Sequence, residues 1–166
     1  ANEPTTGKVA PGRDRAYTPL EYTPGGMEMS SNVENNRGQL PWPVSTGVVT
    51  GNFGTENIPG TKLTRKTDGI EISLPTGSTV RSVADGKVIY AGEVDGEQLL
   101  VVQHGKYFCG YNYLSSVSVS AGQEVKAGSV LGKSGNGIDG EGILLFMITN
   151  DKSVPQNPIP WLKTRR

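Results

Sequence analysis

Residues 77–91 read Gly-Ser-Thr-Val-Arg-Ser-Val-Ala-Asp-Gly-Lys-Val-Ile-Tyr-Ala. Two short apolar-rich stretches, 79–83 and 87–91, flank Asp85-Gly86, and Gly77 opens the segment. Five residues suit a strand better than a helix. A two-residue type I′ turn needs positive φ at both central positions, so Asp85-Gly86 predicts a hairpin. The same grammar continues outward through 48–50, 69–73, 98–103, 107–114, 124–126, 130–133 and 143–149. Each stretch is bounded by Gly, Asn-Gly or Asp-Gly signals, and Asp95-Gly96 marks a second hairpin. An all-β, antiparallel domain is the expectation.

A weak internal echo accompanies this pattern. Gly77-Ser78-Thr79-Val80 leads to Asp85-Gly86-Lys87-Val88, as Gly122-Gln123-Glu124-Val125 leads to Gly128-Ser129-Val130-Leu131-Gly132. Two related β units packed on each other would produce it.

Composition agrees. The 166 residues include 23 Gly and 11 Pro, about a fifth of the chain, which argues against long helices. Sixteen Lys and Arg balance sixteen Asp and Glu, so no basic field favours nucleic acid or anionic membrane. Cys109 is the single cysteine, which excludes an internal disulfide and a cysteine-cluster metal site. No apolar run reaches the roughly 18 residues of a membrane span, and no membrane insertion is expected of this chain.

Residues 1–38 differ in character. Pro4, Pro11, Pro19, Pro24 and Gly25-Gly26 punctuate scattered charges, which reads as an extended N-terminal arm or linker. Within it, residues 27–36 could form at most a short helix capped by Ser30 or Ser31. Tyr17, Leu20, Tyr22, Met27 and Met29 give the arm enough apolar surface to cover a groove or a sheet edge. Residues 39–163 form the domain, and 164–166 are a basic tail.

Several ordered motifs give that domain a family likeness. They are Leu40-Pro41-Trp42-Pro43-Val44, Phe53-Gly54, Asp68-Gly69-Ile70-Glu71-Ile72, Gly77 through Val88, His104-Gly105, Tyr111-Asn112-Tyr113-Leu114, Gly122 through Gly132, and Asn157-Pro158-x-x-Trp161-Leu162. In this order and spacing they resemble the lysostaphin/LytM-type peptidoglycan metallopeptidase domain. The resemblance implies an antiparallel LytM-type sheet, a duplicated hybrid motif, with a groove between loops over its central strands.

It also implies where zinc would sit. Active members hold the metal by a His-x-x-x-Asp motif and the second His of a His-x-His pair, with a further His assisting catalysis. Carried over by position, these fall on Thr67, Glu71, Ile143, Leu145 and Tyr113. Catalytic zinc needs three protein ligands and one open position. One carboxylate remains among the five, so the expectation is a pseudo-enzyme without metal or cofactor. His104, Asp68, Asp139 and Glu141 are the candidates for a rescued ligand set.

Strand parity suggests what the site became. In 143–148, residues 144, 146 and 148 can face the core, leaving Ile143, Leu145 and Met147 on the former metal face. In 107–114, Tyr107, Cys109, Tyr111 and Tyr113 share one face. That surface is either a small second core under loops or a groove lined by Asp68, Tyr107, Tyr111, Tyr113, Leu145, Met147 and Thr149. Three aliphatic side chains buried there by a partner would contribute roughly 4–9 kcal/mol before the cost of association.

The leading functional expectation comes from similarity to degenerate domains of the EnvC-type murein hydrolase activators. It implies a regulator in the bacterial cell envelope, periplasmic or surface-exposed, that binds and activates a cell-wall amidase. Three alternatives stand beside it: a module that grips peptidoglycan or another glycan on its tyrosines, a zinc peptidase with an unusual ligand set, and a carrier domain modified at Lys87. A Cys109–His104 nucleophile is a remoter option, since it needs the two side chains to meet.

Overall fold

A computed structural model describes residues 23–164. The strands run β1 (Val48–Gly51), β2 (Gly54–Asn57), β3 (Thr64–Thr67), β4 (Ile70–Ser73), β5 (Thr79–Arg81), β6 (Gly86–Val94), β7 (Glu97–His104), β8 (Tyr107–Val117), β9 (Glu124–Val125), β10 (Val130–Asn136), β11 (Gly142–Thr149) and β12 (Pro155–Gln156), with the α-helix α1 (Pro24–Asn35) before them and a 3₁₀ turn (Ile159–Trp161) after them. Ten strands form one sheet with the path β1-β4-β11-β10-β8-β7-β6-β9, to which β5 adds at β10 and β12 at β11; β2 and β3 make a separate hairpin. Every ladder between these strands is antiparallel. The nine expected strands are all present, within a few residues at their ends.

One face of this sheet carries the core. Ile70, Ile72, Val80, Val88, Leu100, Leu131, Leu144 and Phe146 are fully buried in it. The motifs at the two ends of the domain close on each other: Leu40 bridges Leu162, and Trp42 Nε1 donates to the Lys163 carbonyl at 2.8 Å.

The internal echo has a structural counterpart. Gly77 N donates to Ser134 O and Ser134 N to Ser78 O, both at 2.8 Å, so the turn before β5 lies against β10. Gly122 N donates to Val88 O at 2.6 Å and Val88 N to Gln123 O at 2.8 Å, so the turn before β9 lies against β6 in the same way. Each unit's glycine turn is clasped by the other unit's strand.

Two turn expectations part company. Asp95 and Gly96 have φ of 53° and 83° and join β6 to β7 with Val94 opposite Glu97, as a type I′ turn requires. Asp85-Gly86 makes no hairpin, because β5 pairs with β10 while β6 pairs with β7 and β9. Neither residue has positive φ. Asp85 instead accepts the Ala127 amide at 2.8 Å, and Gly86 is bare because a Cβ would come within 2.6 Å of Gln103 O and His104 Nδ1.

Helix α1 begins earlier than the sequence suggests. Thr23 is its N-cap, accepting from Gly26 N at 2.9 Å, and Pro24 occupies the first turn where its missing N–H matters least. Ser30 is not a cap; it is buried, donates to Gly26 O and accepts from Lys106 N at 2.9 Å. The helix rests on the β7–β8 turn, where Tyr107 Oη donates to Glu34 at 2.6 Å. Tyr17, Leu20 and Tyr22, expected as part of a groove cover, lie outside the described residues. The basic tail ends outside them too, at Arg165 and Arg166.

Candidate functional site

Strand β4 alternates strictly, with Ile70 and Ile72 buried in the core and Glu71 and Ser73 on the opposite face. Next to it, β11 buries Leu144, Phe146 and Ile148 and turns Leu145, Met147 and Thr149 outward, half-buried. Glu71 is paired with Leu145, which is paired with Asn112 of β8. A carboxylate, an aliphatic side chain and an amide therefore stand side by side across three strands. Ile143 shares this face but is buried, since the turn after β10 packs its Gly137 against Ile143 Cγ2.

The tyrosine stripe divides. Tyr107, Cys109 and Tyr111 do share a face of β8, but it is the core face, so the expectation that Tyr107 and Tyr111 line the groove is corrected. Tyr111 is fully buried with its ring 5.3 Å from that of Phe146, and its hydroxyl accepts the Val83 amide at 3.2 Å. Tyr107 packs its ring 5.4 Å from Trp161 under α1. The cause is register: Tyr111 sits opposite Phe146 and Leu100, both core residues.

Tyr113 escapes to the groove side by a bulge. Between Gln98–Leu114 and Leu100–Tyr111 the register slips, and Tyr113 takes φ 67°, a left-handed conformation costly for a bulky residue. Asn112 and Tyr113 consequently both face outward while Leu114 returns to the core. Burial raises the Tyr113 phenol pKa above its ordinary value, and the carboxylates of Glu97, Glu71 and Glu141 raise it further. Tyr113 also lines an open pocket of about 270 Å³ with Glu93, Glu97, Gln98 and Asn136. Asn112 Nδ2 donates to Glu97 at 3.0 Å, while its Oδ1 is buried without a partner.

Thr67 is buried at the end of β3, paired with Gly54, and Asp68 is exposed beside Lys66 at 4.0 Å. His104 is fully buried on the core side, its Nδ1 2.7 Å from Asp85 O, and desolvation lowers its pKa to about 4. It is a neutral structural histidine on the wrong side of the sheet to meet Glu71. Burial pushes the Cys109 thiol well above its ordinary range, which removes it as a nucleophile.

Sequence reading missed Arg65. Its guanidinium lies 3.4 Å from Glu71 and 3.6 Å from Glu56, so the face's carboxylate is already paired. Alternation over apolar residues carries no signal for it, because β3 reads Thr-Arg-Lys-Thr.

An antiparallel sheet whose face away from the core carries Glu71, Tyr113, Ile143 and Leu145 defines a metallopeptidase-like β domain. The chain belongs to peptidase family M23, whose model matches residues 65–158. It is 35% identical to the murein hydrolase activator EnvC of Escherichia coli over 93% of this chain and 36% of that protein. It is 34% identical to the cell division protein DipM of Caulobacter vibrioides over 62% of this chain and 16% of DipM. A solved zinc-containing peptidase from Vibrio cholerae superposes with a TM-score of 0.64 at 26% identity, over 73% of this chain and 39% of that one. The chain thus spans about a third or less of the two curated relatives it matches here.

A zinc ion, implied by the family, does not fit these residues. Thr67, Tyr113, Ile143 and Leu145 offer hydroxyl groups and hydrocarbon, and Glu71 is engaged by Arg65. Among the described residues no three His, Cys, Asp or Glu side chains are grouped to hold a metal.

Proposed function

We propose that this domain is a non-catalytic regulator of cell-wall hydrolysis, acting in the bacterial envelope by binding a peptidoglycan amidase and releasing its active conformation. The observation that carries the reading is the face built on Glu71, Leu145 and Asn112: a hydrolase would present metal donors there, and this chain presents a paired carboxylate and an aliphatic floor. In the β2–β3 and β10–β11 loops, Leu63 and Ile138 remain 65% and 85% exposed. Large apolar side chains left in water beside an apolar strand suit a protein partner better than a sugar. The murein hydrolase activator and the cell division protein among its relatives support the same direction. Among the described residues no helix is long and apolar enough to cross a membrane.

Activation is population shift. The groove favours the open amidase only by binding that form more tightly than the closed one. Titration calorimetry of the domain into an amidase from the same organism tests this. Saturable binding that Leu145→Asp weakens at least about tenfold supports the reading, since the change places a charge on an apolar contact. An amidase that ignores the domain while insoluble peptidoglycan retains it would favour the glycan-binding alternative instead. Of Tyr107, Tyr111 and Tyr113, the last is the one that faces away from the core and could serve that role.

A further inference from the structure

Glu71 is held by a chain of contacts that starts outside the groove. Asn52 donates to Glu56 through its amide at 3.3 Å and through Nδ2 at 2.9 Å. Arg65 then spans Glu56 and Glu71 with its two terminal nitrogens, at 3.6 Å and 3.4 Å. The chain therefore crosses from the β1–β2 turn, through the hairpin, to the groove floor on β4.

Gly51 lies beside the crossing, where a Cβ would come within 2.7 Å of Arg65 Nη2 and Glu71 Oε1 and 3.0 Å of Glu71 Cβ. Arginine suits the task because its planar charged fork engages two carboxylates at once and stays protonated at any physiological pH.

We propose that Arg65 is the resident cation of the pocket. It neutralises Glu71 where a metal ion would otherwise do so, and it fixes the β2–β3 hairpin as a wall of the groove. Arg65 is a positioning residue, and the claim holds whether the groove receives a protein or a glycan. While the guanidinium is in place, a second cation at Glu71 meets like charge. Without it, Glu56 and Glu71 face the position it left as two carboxylates with no cation between them.

Amide hydrogen exchange of the whole chain, read peptide by peptide by mass spectrometry, tests this in the parent, Arg65→Ala, Arg65→Lys and Glu71→Gln forms, each with and without excess zinc. Arg65→Ala should speed exchange of the β2–β3 amides about fivefold, the size expected for losing two partly exposed ion pairs, while β7 and β8 stay protected. Zinc should leave the parent unchanged. Arg65→Lys should restore part of the protection, and Glu71→Gln should loosen the hairpin as Arg65→Ala does. A parent hairpin that responds to zinc, or an Arg65→Ala or Glu71→Gln hairpin that exchanges at the parent rate, would overturn the proposal. If Arg65→Ala lost protection throughout the chain, Glu71→Gln, which keeps the arginine and the side-chain volume, decides by the same comparison.

Discussion

Truncating Tyr111 and Tyr113 separately should give opposite profiles, although the two residues are neighbours on one strand. Tyr111 is fully buried, packs on Phe146 at 5.3 Å and takes the Val83 amide proton with its hydroxyl. Replacing it by alanine removes a large aromatic from a closed core and strands a buried N–H, for a loss of about 4 kcal/mol. For a domain of this size that lowers Tm by about 8–16 °C. Tyr113 is half-buried at the rim, so Tyr113→Ala should cost about 1 kcal/mol or less. Its left-handed backbone is unchanged by the substitution, so no strain is relieved. Urea unfolding followed by circular dichroism and by the fluorescence of Trp42 and Trp161 measures both. Amidase binding should then follow the reverse order at a temperature where both variants are folded, with Tyr113→Ala weaker and Tyr111→Ala near the parent. Equal losses of stability in the two variants would mean that the β8 bulge, and with it the groove face, is misplaced.

Other consequences are simpler to check. His104 has its pKa lowered to about 4 in the folded chain, so between about pH 6.5 and 4 the unfolded chain binds more protons and stability falls as pH falls. The loss should total about 3 kcal/mol by pH 4, and urea midpoints of His104→Gln should be flatter across that window. Cys109, buried with its thiol pushed up, should react with iodoacetamide only at the rate of global unfolding; rapid labelling in native buffer would contradict its placement. Gly86→Ala should destabilise by about 2 kcal/mol because its Cβ would run into Gln103 O and His104 Nδ1; a melting temperature equal to the parent's would refute that close approach.

Much of the architecture was legible because it rests on short-range chemistry. Glycine turns at Asp95-Gly96 and the apolar alternation of β11 announce themselves in sequence, and the motifs at Leu40 and Trp161 that close the domain carry the family likeness. What failed depended on partners distant in the chain. Asp85-Gly86 resembles a hairpin turn, but β5 leaves for β10 and the glycine answers to the approach of His104. The face of β8 could not be read from parity alone, since only its pairing with β11 shows that Tyr111 belongs with Phe146. A one-residue bulge then sends Tyr113 the other way. The β2–β3 hairpin is polar and exposed, so nothing apolar marked it, and Arg65 went unnoticed with it. Helix α1 starts three residues before the expected 27–36 because Thr23 caps it and Pro24 fits its first turn, in spite of Gly25-Gly26.

Release of soluble fragments from dye-labelled sacculi, by the domain with zinc, by an amidase, and by the two proteins together, addresses the assigned role most directly. The domain with zinc should release nothing, and its addition should raise the amidase rate severalfold, with Leu145→Asp abolishing the rise. Cleavage of stem or bridge peptides by the domain alone would contradict it and return the chain to the hydrolases.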